Sequence, residues 1–280
     1  MVTSRDPLRR SLRRQIAIFQ NSRHMPPKAT PLHAARVTIK PPPENRDERM
    51  EPARARWLLD THWAIVAGYR MYCPAAFNES NPEELFQLIE AYSFATVISW
   101  ADAEPMVSHV PLVLDRAEPG RAILLGHFAK GNRHWQQFDG QSPALAIFQG
   151  PHGYISPAWY ETTPSVPTWN YAVVHVRGTA RITDAEGTEQ IVHRLVEKFE
   201  GSRSERWSGN LPQEFVRDEL HGIVGFQIEV QRISGKFKLS QNRIDADREG
   251  ALAGLEREPD TASQELAAFS RRYLERKSRA

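Results

Sequence analysis

The chain has 280 residues, 36 Lys+Arg against 34 Asp+Glu, and a single cysteine, Cys73. That length serves one large domain or two small ones. One cysteine excludes an intramolecular disulfide and a multi-cysteine zinc site, and it fits a reducing cytoplasm. The charge is unevenly spread. Residues 1–70 carry 14 basic and 6 acidic side chains, net +8, whereas 71–280 carry 22 basic and 28 acidic, net −6. An acidic body lacks the broad basic footprint of a nucleic-acid binder. No apolar run approaches the ~18–20 residues that cross a bilayer. Ile16 to Phe19, after Arg9, Arg10, Arg13 and Arg14, is too short for the ~7–15-residue apolar region of a signal peptide.

Residues 1–56 are basic and studded with proline, including Pro26-Pro27 and Pro41-Pro42-Pro43, which forbid sustained helix or ladder pairing. This stretch reads as mostly disordered, with short helices at about 7–20 and 53–66. An Arg-rich arm of this kind can bind nucleic acid. The simpler expectation is an unstructured extension ahead of a folded region that begins near Met71.

From there the elements can be placed. Asn81 is an N-cap, Pro82 suits the first helical position, and Leu85, Leu88 and Ile89 form one apolar face, so 82–92 is a helix. Phe94–Trp100, Met106–Leu114 and Ala122–His127 read as strands, Asn132–Phe138 as a short helix, and Pro143–Gln149 as another strand. Thr168–Ile182 reads as a long strand with an irregularity at Gly178. Helical spacing marks Glu186–Phe199, Pro212–Leu220 and about 261–276. Ile223–Ile233 alternates as a strand, and Phe237–Leu239 continues the sheet after a bend at Gly235. Strands and helices do not alternate regularly, so the expected class is α+β on an antiparallel barrel, not a doubly wound parallel sheet. There is no Gly-rich dinucleotide fingerprint and no phosphate-loop motif.

Three blocks carry candidate chemistry. The first joins Trp159 and Tyr160 to Thr168-Trp169-Asn170-Tyr171. Its rings either pack the core or a dimer seam, or offer faces to a planar ligand, while Thr168 and Asn170 cap turns or read a ligand edge. The second runs from Gly126 to Trp135 and holds His127, Lys130 and Asn132. A strand end, a cation and a helix start form either an anion site or a plain turn. The third, Gly235 to Arg243, sets Lys236 and Lys238 on one strand face, either solvated or turned to one ligand; Ser240, Gln241 and Asn242 add polar reach. Scattered histidines make no zinc-binding pair, and no serine sits in a nucleophile elbow, so a metal site and nucleophilic hydrolysis are poorly supported.

In order, Met71 to Phe77, Ser108-His109-Val110-Pro111-Leu112, Gly126 to Trp135, Phe148 to Tyr160, Val166 to Tyr171 and Gly235 to Arg243 resemble the PaiB-like family of FMN-binding negative transcriptional regulators. The resemblance covers about 71–245 and excludes 1–70. Members start at the Met-Tyr-x-Pro motif, which points to Met71 as the initiator. It implies a split β-barrel of the pyridoxamine-phosphate-oxidase-like kind with peripheral helices, and a homodimer with FMN at the subunit interface. It makes Ser108, His127, Lys130 and Asn132 candidates for the phosphate and ribityl region. Thr168, Trp169 and Asn170 become candidates for the ring edge and face, flanked by Trp159 and Tyr160. Lys238 and Gln241 close the site from the last strand or the other subunit. Lys130 stands where the family's block has arginine, which keeps the charge and loses the bidentate fork. The implied function is a repressor that acts indirectly or through weak DNA association; the alternative is a flavin-dependent oxidoreductase acting on a small molecule, with the flavin carrying the electrons.

Overall fold

Proline and asparagine punctuate the start of the described chain. Asn81 Oδ1 accepts the Glu83 N–H at 3.1 Å, Pro82 opens helix α1 (Pro82–Ala91), and Leu85, Leu88 and Ile89 turn into the core. Each such side chain contributes about 1.5–3 kcal/mol through burial. The structure is a computed structural model that describes residues 71–101, 104–118, 120–205 and 207–279. The extension expected over 1–70, with its two short helices, lies outside the described residues.

The strands are β1 (Asn78–Glu79), β2 (Phe94–Ala101), β3 (Glu104–Pro111), β4 (Val113–Asp115), β5 (Ile123–Ala129), β6 (Asp139–Ile155), β7 (Thr168–Ile182) and β8 (Ile223–Lys238). They form one antiparallel sheet in the order β3-β2-β6-β7-β8-β5-β4, with β1 paired to the far end of β8. The expected strand 106–114 is interrupted at Leu112, whose N–H donates to Ser93 O at 2.9 Å. The strand expected to stop at Gln149 continues to Ile155 through a register shift between Gln149 and His152, so the bulge absorbs Gly150-Pro151. A second shift falls between Arg177 and Gly178, where a Cβ on Gly178 would lie 1.9 Å from Glu229 O.

The sheet curls. β3 lies at one end of the order and β5 next to the other, yet they meet, and the 3₁₀ turn Arg133–Gln137 after β5 hydrogen-bonds to both β2 and β3. This is the antiparallel split barrel of an α+β protein. Ala95, Val97, Phe148, Val174, Phe226 and Phe237 fill its concave side. Helix α2 (Ala185–Glu200) covers part of the outer face, with Ile191 and Leu195 packed on Leu125. Helix α3 (Gln213–His221) follows. Helices α4 (Asp245–Arg257) and α5 (Thr261–Arg279) close the core near the β6–β7 end, where Leu255 and Leu266 lie over Gly153. Helix α5 is fixed to the start of the fold: Tyr273 donates to Glu79 Oε2 at 2.6 Å, and Arg276 forks onto Glu84 at 2.7 and 2.8 Å. Among the described residues no helix is long and apolar enough to cross a membrane.

Candidate cofactor site

Strand pairing decides which candidates share a face. Tyr171 pairs with Lys238 and Val173 with Lys236, so Trp169, Tyr171, Lys236 and Lys238 point outward, away from the core. Tyr154 pairs with Trp169 and His152 with Tyr171 on the same face. The Trp169 indole is 54% exposed, with the His152 ring stacked 6.3 Å away and Tyr154 edge-on at 6.3 Å. Four rings and two lysines thus meet at one end of the outer face.

Among the described residues the lysines are held in place without a counter-charge. Lys236 Nζ donates to Tyr72 O at 3.0 Å and sits 5.1 Å from the Tyr72 ring and 5.4 Å from the Tyr171 ring. Lys238 Nζ donates to Thr168 Oγ1 and to Trp169 O, the latter at 2.6 Å, and lies 5.9 Å from the Phe77 ring. Burial lowers the Lys238 pKa, and Lys236 and Arg243 lower it further. Arg243 lies 4.4 Å over the Tyr160 ring and 3.7 Å from Asp247 Oδ2, so it is partly neutralised. Neither lysine has a carboxylate partner among the described residues. A partly desolvated cation beside other cations favours a nearby anion. With exposed ring faces next to it, this set fits a planar ligand that carries a phosphate.

Asn170 is as buried as its neighbour Trp169 is exposed, because it occupies the opposite phase of β7. Its Nδ2 donates to Ser240 Oγ at 2.9 Å, and its Oδ1 has no partner among the described residues. Ser240 has φ +65°, so this contact fixes the tight turn that ends β8 just past Lys238. Gln241 staples the same turn: its Oε1 accepts the Leu239 N–H at 2.7 Å and its Nε2 donates to Phe237 O. Trp159 packs against helix α4. A Cβ on Gly254 would lie 2.2 Å from its ring, and one on Gly250 2.0 Å from its carbonyl oxygen. Tyr160 is buried, and its hydroxyl has no partner among the described residues.

The second block does not join this group within one chain. His127 pairs with Gly225, which packs so closely on the α2 flank that a Cβ there would meet Thr183 Oγ1 at 2.5 Å and Thr188 Oγ1 at 2.6 Å. From Gly225 to Lys238 is roughly 40 Å of strand at ~3.3 Å per residue. Lys130 is exposed on the same flank, with its N–H on Gly222 O at 2.8 Å. Ser108 and Asn132 lie elsewhere again, in a closed polar cluster. Asn132 Oδ1 caps the His134 N–H at 3.1 Å and its Nδ2 donates to Ser108 Oγ at 2.9 Å. His134, fully buried, bridges Ser108 Oγ at 2.9 Å and Ser99 Oγ at 2.8 Å, and Ser99 donates to Gln137 Oε1. If Ser99 gives its proton to Gln137, it accepts from His134 Nε2–H, and Nδ1 accepts from Ser108. Burial lowers the His134 pKa, in keeping with that neutral ring. The cluster ties β2 and β3 to the turn after β5 and so holds the curl.

Sequence reasoning singled out neither His134 nor Asp247. Asp247 accepts the N–H groups of Glu161 and Thr162 at 2.9 and 3.0 Å and the Thr162 hydroxyl, anchoring the loop that leads into Thr168. Its signal was a helix-start Asp after Ile244, in a helix that composition alone did not reveal.

Comparison with known proteins supplies the class, a flavin-binding one. The family described as "Putative FMN-binding domain" matches residues 71–232. The chain is 35% identical over 199 residues to "Protease synthase and sporulation protein PAI 2" of Bacillus subtilis (strain 168), covering 70% of this chain and 95% of that protein. An uncharacterized protein of Emericella nidulans is 30% identical over 250 residues, covering 75% of this chain and 100% of its own. Among solved structures, the FAD and heme binding protein from Mycobacterium smegmatis aligns with TM-score 0.45 and 17% identity, over 68% of this chain and 79% of that one. This chain belongs to the PaiB-type FMN-binding family, and FMN is its cofactor.

Proposed function

We propose that the protein is a cytoplasmic FMN-binding homodimer that acts as a negative transcriptional regulator. The observation that carries the cofactor's place is the pair Lys236 and Lys238, without carboxylate partners among the described residues, beside Trp169 and Tyr171. In this reading Lys238 and Thr168 hold the phosphate end, and Trp169 with His152 and Tyr154 receives the ring. FMN, when bound, supplies one- and two-electron redox chemistry. The protein's own part is to orient it and set its electrostatics.

Two features support a dimer. The outer face carries exposed Phe94, Trp100, Val107, Tyr154 and Trp169, an apolar expanse that a second copy would cover. His127, Lys130, Ser108 and Asn132 would reach the cofactor only from another chain, given the strand length that separates His127 and Lys130 from Lys238. The basic segment 1–70 would then supply any direct DNA contact, because the body is acidic.

The test combines three measurements on the full chain: the spectrum and mass of any released chromophore, sedimentation for the oligomeric state, and a promoter mobility shift with reduced and oxidised protein. FMN release, a dimer and a redox-dependent shift support the proposal. A monomer that binds FMN at full affinity removes the interface site. Steady oxidation of reduced nicotinamide without a promoter shift replaces the regulator with a flavin-dependent oxidoreductase.

A further inference from the structure

Helix α3 lacks enough burial to account for its own stability. None of its nine residues is buried, and Phe215 is 48% exposed. An isolated helix shorter than about 12–15 residues is marginal in water, so helices in proteins rely on packing of an apolar face. Val216 and Leu220, four residues apart, do face the body, where they line a cleft of about 820 Å³ between α2 and α3. Leu211, 39% exposed, and Ile223 and Val224 of β8 add to the apolar part of its lining. Scattered exposed apolar residues are ordinary, but a contiguous group around an amphipathic cleft marks an interaction site.

Charge selects the occupant. Residues 183–222 hold nine Asp+Glu and five Lys+Arg, net −4. Asp184, Glu186 and Glu189 line the α2 wall of the cleft, against Lys130 and Arg217. A second copy would bring the same acidic surface and repel it. We propose that the α2–α3 cleft docks a Lys/Arg-rich amphipathic helix of a partner protein, with the apolar stripe of that helix on Leu211, Phe215 and Val216 and its cations over the α2 carboxylates. This is helix-in-groove recognition. Trp169 and Lys238 do not line the cleft, whereas Lys130 does, so the inference rests on the dimer proposed above and is tested on the FMN-loaded chain.

The probe is a fluorescein-labelled peptide of about 18 residues, or five turns, with leucines at helical i, i+3, i+4 spacing and lysine elsewhere. A scrambled peptide of identical composition is the control. Fluorescence anisotropy with the full, FMN-loaded chain should show saturable binding, at least about tenfold weaker for the scrambled peptide and at least about tenfold weaker for the double variant Leu211→Ser, Phe215→Ser. Both side chains are exposed, so the variant should keep its thermal midpoint and its FMN affinity. Equal binding of the scrambled peptide would reduce the surface to unspecific charge and overturn the proposal, as would no binding of either peptide. A fall in oligomeric state of the double variant by sedimentation would also overturn it, by making a second copy the occupant.

Discussion

Replacing Lys238 by methionine separates a binding lysine from a structural one. Without cofactor, two effects oppose each other. The variant loses hydrogen bonds from Nζ to Thr168 Oγ1 and Trp169 O, each worth about 0.5–1.5 kcal/mol net. It also removes a cation that burial and the neighbouring Lys236 and Arg243 disfavour, and it keeps the apolar stem beside Phe77. The sum should stay within about 1 kcal/mol, a change in Tm of about 2–4 °C for a domain of this size. With cofactor the balance is one-sided. A charge-assisted contact to phosphate contributes about 1.5–3 kcal/mol, so Kd for FMN should rise about 10–150-fold. Flavin fluorescence titration gives Kd, and calorimetry of the cofactor-free protein gives Tm. Wild-type affinity should also weaken more steeply with salt than that of the variant. An unchanged Kd would refute the assignment of the phosphate to this end of β8. A joint collapse of Tm and Kd would make Lys238 a structural residue.

Other outcomes follow from the same reasoning. Burial lowers the pKa of His127, His134 and His175; unfolding therefore takes up protons below the ordinary imidazole value of about 6.5. Stability should be full above that pH and fall as pH drops through it toward the folded-state values, and a His134→Asn variant should show a shallower dependence in urea titrations at stepped pH. Gly178→Ala should cost about 2–3 kcal/mol, or about 4–12 °C in Tm, because its Cβ would strike Glu229 O at 1.9 Å; a normal Tm would mean the bulge shifts freely. Asp247→Ala should speed amide exchange at Glu161 and Thr162, whose N–H groups it accepts, and weaken FMN binding through the loop into Thr168; unchanged exchange would remove its anchoring role.

Much of the architecture was legible because local signals agreed with the tertiary environment. Helix α1 announced itself through Asn81, Pro82 and its apolar face, and β7 through alternation from Trp169 to Ile182. Helix α4 was not legible. It is rich in alanine, glycine and charge, and beside Leu252 and Leu255 its packing surface includes Gly250 and Gly254 against Trp159, a contact made by the absence of side chains. The continuation of β6 past Gly150-Pro151 was hidden for a related reason: a bulge admits residues that a regular ladder excludes.

The candidate site shows the same division. The residue types were in the sequence: aromatic rings, lysines two apart on one strand, and polar residues between them. Period-two alternation also implied that Lys236 and Lys238 share a face. Which strand lies beside β8, and in what register, is set by contacts between residues about seventy positions apart, such as Tyr171 with Lys238. That register placed Trp169 and Tyr171 with the lysines, turned Asn170 into the turn at Ser240, and left His127 and Lys130 at the other end of the strand. Only the curl of the sheet, held by His134 between Ser99 and Ser108, brought distant strands together. Sequence alone determined the parts and their local periodicity, because those depend on neighbours along the chain; the tertiary structure decided their company, because side chains meet across strands by register and not by order.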